Sequence, residues 1–171
     1  MHIFLTGFMG AGKTTVGERL AALLELPFVD LDEEIERRAG STVRELVERH
    51  GEPWFRRLEL EALQAVLGGG DSVIATGGGT LTSELGARLI REAGLSVWLN
   101  PSFATIVERI GTLGKADRPL FREEVQVLAL YRERLPAYRK ADVAVDVSPL
   151  EAPEEIAARI ALLLRERRCA I

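Results

Sequence analysis

The segment GFMGAGKTT, from Gly7 to Thr15, has the residue types and spacing of a phosphate-binding loop. It matches G-x-x-x-x-G-K-[ST] at every fixed position and lies between a predicted strand and a predicted helix, as that motif requires. Glycines let backbone N–H groups turn toward phosphate oxygens, the lysine reaches the β- and γ-phosphates, and the next hydroxyl ligates magnesium. An ordinary glycine-rich turn is the alternative, which the complete match disfavours. The motif predicts nucleotide contacts at Gly10, Ala11, Gly12, Lys13, Thr14 and Thr15.

A second group that could do chemistry is the pair Asp30 and Asp32 in VDLD. On a strand, these two side chains would share one face, and in a parallel sheet they would lie beside the phosphate loop. One carboxylate could then help to bind magnesium, while the other accepts hydrogen bonds and a proton from an acceptor hydroxyl. The alternative is that both are helix-initiating acids ahead of Glu33 and Glu34. The spacing leaves both interpretations open.

Two glycine triplets occur in different contexts. Residues 68–70 follow a predicted helix, which favours a helix cap and turn. Gly77, Gly78 and Gly79 follow a buried strand, where glycine allows a backbone to approach a ligand and offer N–H groups. A simple tight turn remains the alternative at the second triplet.

Arginines supply most of the cations, since the lysines are only three of the 22 basic residues. Arg56 lies on a predicted amphipathic helix, Arg118 in a loop and Arg134 one turn before a helix break. Each has an ordinary interpretation by itself, as a solvated helix face or a favourable charge near a helix C-terminus. None identifies an anion site alone.

The elements that must position these groups alternate between short apolar strands and helices. Strands are predicted at 2–6, 27–32, 72–76, 95–99 and 142–147. Thr42 and Glu45 form a capping box for one helix, and a later helix must end or kink near Pro136. This alternation predicts a mostly parallel sheet with helices on both faces, with ligands at the carboxyl ends of the strands.

Composition limits the function further. A chain of 171 residues, 47% hydrophobic and 28% charged, suits one soluble domain. The net charge of −4 gives no general attraction to nucleic acid or anionic membrane. Cys169 is the only cysteine, which excludes a disulfide framework within the chain. With no export leader and no apolar run of membrane-spanning length, we expect a cytoplasmic protein.

Absent motifs narrow the class of nucleotide-binding protein. The guanine-reading N-K-x-D motif is missing, because the only asparagine, Asn100, precedes Pro101. The third strand ends in VIATGGG without the aspartate typical of a transport ATPase. The small size and the arginine-bearing loop favour a kinase for a small metabolite.

Taken in order, several segments resemble the shikimate kinase family over nearly the whole chain: GFMGAGKTTVG, FVDLDEEIE, GEPWFRRLE, ATGGGT, DRPLF and RLPAYRKAD. The resemblance implies an α/β fold of the nucleoside-monophosphate-kinase type. That fold has three αβα layers, a five-stranded parallel sheet in the order 2-3-1-4-5 and a mobile lid over about residues 111–124. Residues 1–171 would form a single domain, with the lid as an insertion.

The resemblance also implies a role for each candidate residue. Asp32 would bind acceptor hydroxyls and act as the base, while Thr14 ligates magnesium directly and Asp30 helps to organise it. Arg56 and Arg134 would hold the acceptor carboxylate beside Gly77, Gly78 and Gly79. Arg118 would close over the phosphates and, with Lys13, supply catalysis, and Arg109 would lie near the adenine.

The implied reaction is ATP-dependent phosphorylation of the shikimate 3-hydroxyl, a step of aromatic amino-acid biosynthesis through chorismate. ATP and shikimate are the expected partners, Mg²⁺ the expected cofactor, and a monomer the expected state, with no nucleic acid or membrane partner. A kinase acting on gluconate or a nucleoside monophosphate is an alternative. A catalytically silent nucleotide-binding regulator is another.

Overall fold

The computed structural model describes residues 1–112 and 124–169. Five strands form one sheet: β1 His2–Thr6, β2 Phe28–Asp30, β3 Val73–Ala75, β4 Gly94–Pro101 and β5 Val143–Val147. The α-helices of the described residues are α1 Lys13–Leu24, α2 Leu31–Ala39, α3 Val43–His50, α4 Glu52–Leu67, α5 Glu84–Ala93, α6 Phe103–Thr112, α7 Glu124–Tyr138 and α8 Pro153–Cys169. A short 3₁₀ turn, Thr80–Thr82, follows β3.

The strand order is β2-β3-β1-β4-β5, and all pairs are parallel. The predicted α/β fold and its order 2-3-1-4-5 are therefore confirmed. Because β1 is the central strand, the loop that follows it opens between the ends of β3 and β4. Ligands of open parallel sheets bind at such a point, where connections leave in opposite directions.

Alternation along β1 separates two apolar layers. Phe4 packs in the layer that also contains Phe8 and Tyr138, while Ile3 and Leu5 pack in the layer beneath α1 and α8. Successive strand side chains point to opposite faces, so one strand supplies both cores. The loop at its end is thereby fixed from two sides.

Helix boundaries follow local signals in the sequence. The predicted capping box at α3 is present, since Thr42 accepts from the Glu45 N–H and Glu45 accepts from the Thr42 N–H. Helix α7 contains Pro136 and ends two residues later at Tyr138, as a proline near a C-terminus allows. Among the described helices, none has the length and hydropathy needed to cross a membrane.

Candidate active site

The phosphate loop connects β1 to α1. Gly10 and Gly12 have φ angles of 78° and 94°, a left-handed conformation that glycine adopts without strain. The Ala11 N–H donates to the Phe8 carbonyl at 3.1 Å and closes the turn, and α1 begins at Lys13. The loop therefore lies at a helix N-terminus, where backbone N–H groups and the helix dipole favour an anion.

Among the described residues, Lys13 and Arg109 donate hydrogen bonds to carbonyls of this loop. Lys13 Nζ donates to the carbonyls of Gly7 and Phe8 at 3.0 and 3.2 Å. Arg109 reaches across from α6, and its Nη1 donates to two further loop carbonyls at 3.2 and 3.3 Å. Lys13 and Arg109, both predicted to contact the nucleotide, thus have their cationic groups at the phosphate loop.

The prediction that Asp30 and Asp32 share one face of a strand is wrong. Strand β2 ends at Asp30 and α2 begins at Leu31, so Asp32 lies in the first turn of a helix. Asp30 is the N-cap, and its Oδ1 accepts from the N–H groups of Asp32 at 3.0 Å and Glu33 at 3.4 Å. Aspartate disfavours strands and satisfies free N–H groups at helix starts, which explains the early end of β2. The helix-initiating interpretation therefore holds for the local structure.

The remaining oxygen of Asp30 forms a hydrogen bond with Thr14, the other predicted metal ligand. Asp30 Oδ2 accepts from the Thr14 hydroxyl at 2.6 Å, at the start of α1. In the described part of the chain, no group of three or more His, Cys, Asp or Glu side chains could hold a metal alone. Magnesium commonly takes one or two protein oxygens and completes its shell with water and nucleotide phosphates. The Thr14 and Asp30 oxygens fit that coordination.

Asp32 is a carboxylate with an unusual environment. Burial raises the pKa of Asp32 from 3.8 to about 6, the negative charges of Asp30 and Glu59 add to the shift, and Lys13 opposes it. A carboxyl group with such a pKa is mostly ionised at pH 7 yet basic enough to accept a proton. The side chain is therefore suited to act as a general base.

The second glycine triplet packs directly against two of the predicted arginines. A Cβ on Gly79 would overlap the guanidinium of Arg56, and a Cβ on Gly78 would lie 2.9 Å from Arg134 Nη1. Protein side chains therefore pack closely against this triplet on both sides, while the approach of a ligand to its backbone stays a prediction. By contrast, Gly68 caps the end of α4 and starts a turn, as predicted for the first triplet.

Arg134 is only 6% exposed, unlike an arginine on a solvated helix face. Its guanidinium lies 5.9 Å from the ring centroid of Phe8, in the phosphate loop. The Tyr138 hydroxyl is a hydrogen-bond partner of this guanidinium, which has five N–H donors and can therefore bind a further acceptor. The cleft beside Gly78 is where an anionic ligand could supply it.

Glu59 is a site residue that the sequence argument did not select. Its buried carboxylate accepts from Arg56 Nη1 at 2.8 Å and from the Thr80 hydroxyl at 2.7 Å. Burial opposes the charge on Arg56, but Glu59 and then Glu52 hold the pKa of its guanidinium above the usual value. The i,i+3 spacing of Arg56 and Glu59 on one helix was the signal that could have identified the pair.

Two clefts meet at this end of the sheet. The nucleotide-side cleft, of about 590 Å³, is lined by the phosphate loop, Asp30, Arg109 and the start of α8. The acceptor-side cleft, of about 500 Å³, is lined by groups from α2, α3, α4 and α7 and by the glycine triplet 77–79. Met9, Asp32 and Gly78 line both.

Trp54 and the predicted lid residue Arg118 differ from the residues that line the clefts. Trp54 lines neither cleft; it stacks on His50 with ring centroids 4.0 Å apart and packs against the core. Arg118, predicted to close over the phosphates, and the predicted lid lie outside the described residues, apart from the lid's ends at 111–112 and 124.

Comparison with known proteins decides the family. The family model described as shikimate kinase matches residues 9–165. A shikimate kinase of Cereibacter sphaeroides is 42% identical over 168 residues, covering 96% of this chain and 83% of the relative. The chain belongs to the shikimate kinase family. It is therefore a kinase, as the phosphate loop indicated.

Solved structures agree with the family assignment. The structure of a shikimate kinase from Acinetobacter baumannii in complex with shikimate superposes with a TM-score of 0.91 and 34% identity, covering 97% of this chain and 93% of that one. A gluconokinase from Sinorhizobium meliloti superposes with a TM-score of 0.61 and 19% identity, covering 97% of this chain and 96% of that one. That second likeness shows a common fold and nothing about the acceptor.

Proposed function

We propose that this chain transfers the γ-phosphoryl group of ATP to the 3-hydroxyl of shikimate, giving shikimate 3-phosphate and ADP in aromatic amino-acid biosynthesis. The observation that carries the proposal is the position of Asp32, which lines both clefts. A nucleotide on the phosphate loop and an acceptor between two arginines would thus meet at a carboxylate with a pKa of about 6.

The nucleotide side supports phosphoryl transfer. Residues 10–15 would cradle the phosphates with backbone N–H groups, and Lys13 would move from the loop carbonyls to phosphate oxygens. Thr14 and Asp30 would hold Mg²⁺, which when bound neutralises phosphate charge. From the family resemblance, Arg118 would cover the transferred group and Arg109 would lie near the adenine.

The acceptor side supports a hydroxylated carboxylate. Arg56 and Arg134 flank the glycine triplet, and guanidinium groups bind carboxylates through paired hydrogen bonds. The acceptor oxygen would attack the γ-phosphorus in line while its proton passes to Asp32 and ADP leaves. Alignment of the two substrates and neutralisation of charge would supply most of the rate. Two expectations from the sequence accompany the proposal: a monomeric enzyme and a cytoplasmic location.

The deciding experiment measures ADP release with ATP and magnesium, in parallel with shikimate, gluconate, AMP or no acceptor. We expect release that depends on shikimate, with a product heavier by one phosphoryl group in the mass spectrum. Release with gluconate or AMP alone would overturn the acceptor assignment. ATP binding without release in any reaction would favour the regulator.

The carboxylate clamp is tested with Arg134→Ala. We expect the KM for shikimate to rise by about two orders of magnitude and ATP affinity to stay within about twofold, because truncating a buried charged partner removes strong hydrogen bonds at one cleft only. Arg132→Ala, at an exposed position of the same helix, is the matched control. Equal loss of both affinities would contradict the clamp.

A further inference from the structure

Tyr138, the last residue of α7, is fully buried. Its hydroxyl donates to the carbonyl of Gly78 at 2.6 Å. A short hydrogen bond from a buried phenol is a directional constraint on the backbone that accepts it. The accepting glycine is the one that lines both clefts.

The constraint extends through a single peptide plane. The Gly78 carbonyl and the Gly79 N–H belong to the same planar trans peptide and point in opposite directions. Fixing the carbonyl toward α7 therefore fixes the N–H away from α7. In the described part of the chain this buried N–H donates to no protein acceptor, and Gly79 lines the acceptor-side cleft.

Tyr138 and Arg134 both lie against Gly78 from one face of α7. They are four residues apart on α7, and a Cβ on Gly78 would lie 2.9 Å from Arg134 Nη1 and 3.6 Å from the Tyr138 hydroxyl. Trp98 stacks against the Tyr138 ring at 6.2 Å between centroids, with 30° between the planes. Trp98 thus packs against the Tyr138 ring, while the hydroxyl of that ring fixes the backbone at Gly78.

We propose that Tyr138 is a positioning residue for the acceptor: its hydroxyl anchors the Gly78 carbonyl, so that the Gly79 N–H and the Arg134 guanidinium together face the acceptor carboxylate. The inference rests on the proposed function and deepens it by naming the residue that sets the geometry of this cleft. Burial raises the pKa of Tyr138 to about 12, against the opposing charge of Arg134, so the phenol remains a donor throughout the neutral pH range.

The test is Tyr138→Phe, which removes one oxygen and keeps the ring. We expect the KM for shikimate to rise about five- to tenfold, as the loss of one positioning hydrogen bond implies. The kcat and the KM for ATP should stay within about twofold of wild type. Tyr131→Phe removes the other tyrosine hydroxyl of α7, which lines neither cleft, and should leave all three constants unchanged.

The outcomes separate the possible roles of Tyr138. If the role of Tyr138 were purely structural, Tyr138→Phe would lower Tm and kcat together and weaken the binding of both substrates. That result would overturn the inference. An unchanged KM for shikimate in a Tyr138→Phe enzyme would overturn it as well, while leaving the proposed function intact. If the wild-type enzyme showed no shikimate-dependent ADP release, the proposed function would fail first and the inference with it.

Discussion

At the scale of single residues, the two aspartates of VDLD have separate tasks. Asp30 caps α2 and bonds to Thr14. Asp32 lies two residues later, in the first turn of α2, near the negative charges of Asp30 and Glu59. Burial of a carboxyl group disfavours its ionised form, so a position useful for catalysis is unfavourable for folding.

The raised pKa of Asp32 therefore predicts that replacing this residue with asparagine increases stability and decreases activity. The pKa of Asp32 in the folded protein, about 6, exceeds the ordinary aspartate value of 3.8. Between those pH values the folded state binds more protons than the unfolded state, so the free energy of unfolding falls as pH rises. We expect Asp32→Asn to be more stable than wild type at pH 7, by about 1–3 kcal/mol, and less so at pH 4.

Activity should respond in the other direction. We expect Asp32→Asn to lower kcat by at least about a hundredfold, since proton acceptance is lost. Wild-type kcat/KM should fall as pH drops below about 6, the pKa of Asp32. Urea denaturation and initial rates of ADP release measure the two effects, and Glu33→Gln, at the exposed neighbouring position, is the control. An asparagine variant that is less stable at pH 7, or that turns over normally, would contradict this account.

Thr6, at the end of β1, has a buried hydroxyl whose effect on stability can be measured. Its side chain is fully buried, and its hydroxyl has no hydrogen-bond partner among the described residues. Replacing an unsatisfied buried hydroxyl with a methyl group of similar shape removes a desolvation penalty. We expect Thr6→Val to raise the free energy of unfolding by about 1 kcal/mol in urea titrations.

Thr76→Val is the matched control for that substitution. The Thr76 hydroxyl is also buried, but it donates to the Leu5 carbonyl at 3.1 Å. Its removal should lower the free energy of unfolding by about 1 kcal/mol. Equal effects of the two valines would show that the Thr6 hydroxyl has a partner.

At the scale of elements, the two glycine triplets show how context decides the use of glycine. The first follows α4, and a Cβ on Gly70 would meet no atom within 4 Å. The second follows β3 and is enclosed by Arg56, Arg134 and Glu59. A turn between a helix and a strand needs only a change of direction, whereas the second triplet must admit side chains from α4 and α7.

The paired substitutions Gly79→Ala and Gly70→Ala test this difference. Gly79 has φ −102°, so alanine adds no backbone strain, but its Cβ would displace the Arg56 guanidinium from Glu59. We expect the KM for shikimate to rise at least about tenfold, with the KM for ATP within about twofold, because a charge-assisted contact is lost at one cleft. Gly70→Ala should have no effect on either constant. Comparable losses in both variants would show that the second triplet has no special role.

At the scale of the whole molecule, the sheet places two clefts on either side of Asp32. The groups proposed for magnesium, Thr14 and Asp30, line only the nucleotide-side cleft. The arginines proposed for the acceptor, Arg56 and Arg134, line only the other. Binding of the two substrates should therefore respond differently to loss of the metal.

Chelation tests that separation. With excess EDTA we expect turnover to fall by at least about a hundredfold, because phosphate charge is no longer neutralised. The dissociation constant for shikimate, measured by calorimetry without nucleotide, should change less than about twofold. Added magnesium should restore the rate. A large loss of shikimate affinity in EDTA would place the metal in the acceptor site.

Much of the fold could be predicted from sequence because its signals are local. Alternating apolar strands and helices indicated the sheet, and Thr42 with Glu45 indicated the start of α3. The phosphate loop was recognisable because its chemistry needs adjacent residues. The strand assignment of Asp32 failed because capping by Asp30 is a competing local preference, and apolar alternation over four residues cannot exclude it.

The phosphate loop and the alternation of strands and helices were predictable from sequence patterns, and the candidate residues from the family resemblance. The burial of Glu59 against Thr80, the hydrogen bond from Tyr138 to Gly78 and the position of Asp32 between the two clefts became visible only in the folded chain. The physical reason is distance along the chain. Gly78 accepts a hydrogen bond from Tyr138, which lies 60 residues further along the chain. Such a contact follows from the packing of α7 against the sheet rather than from any local pattern.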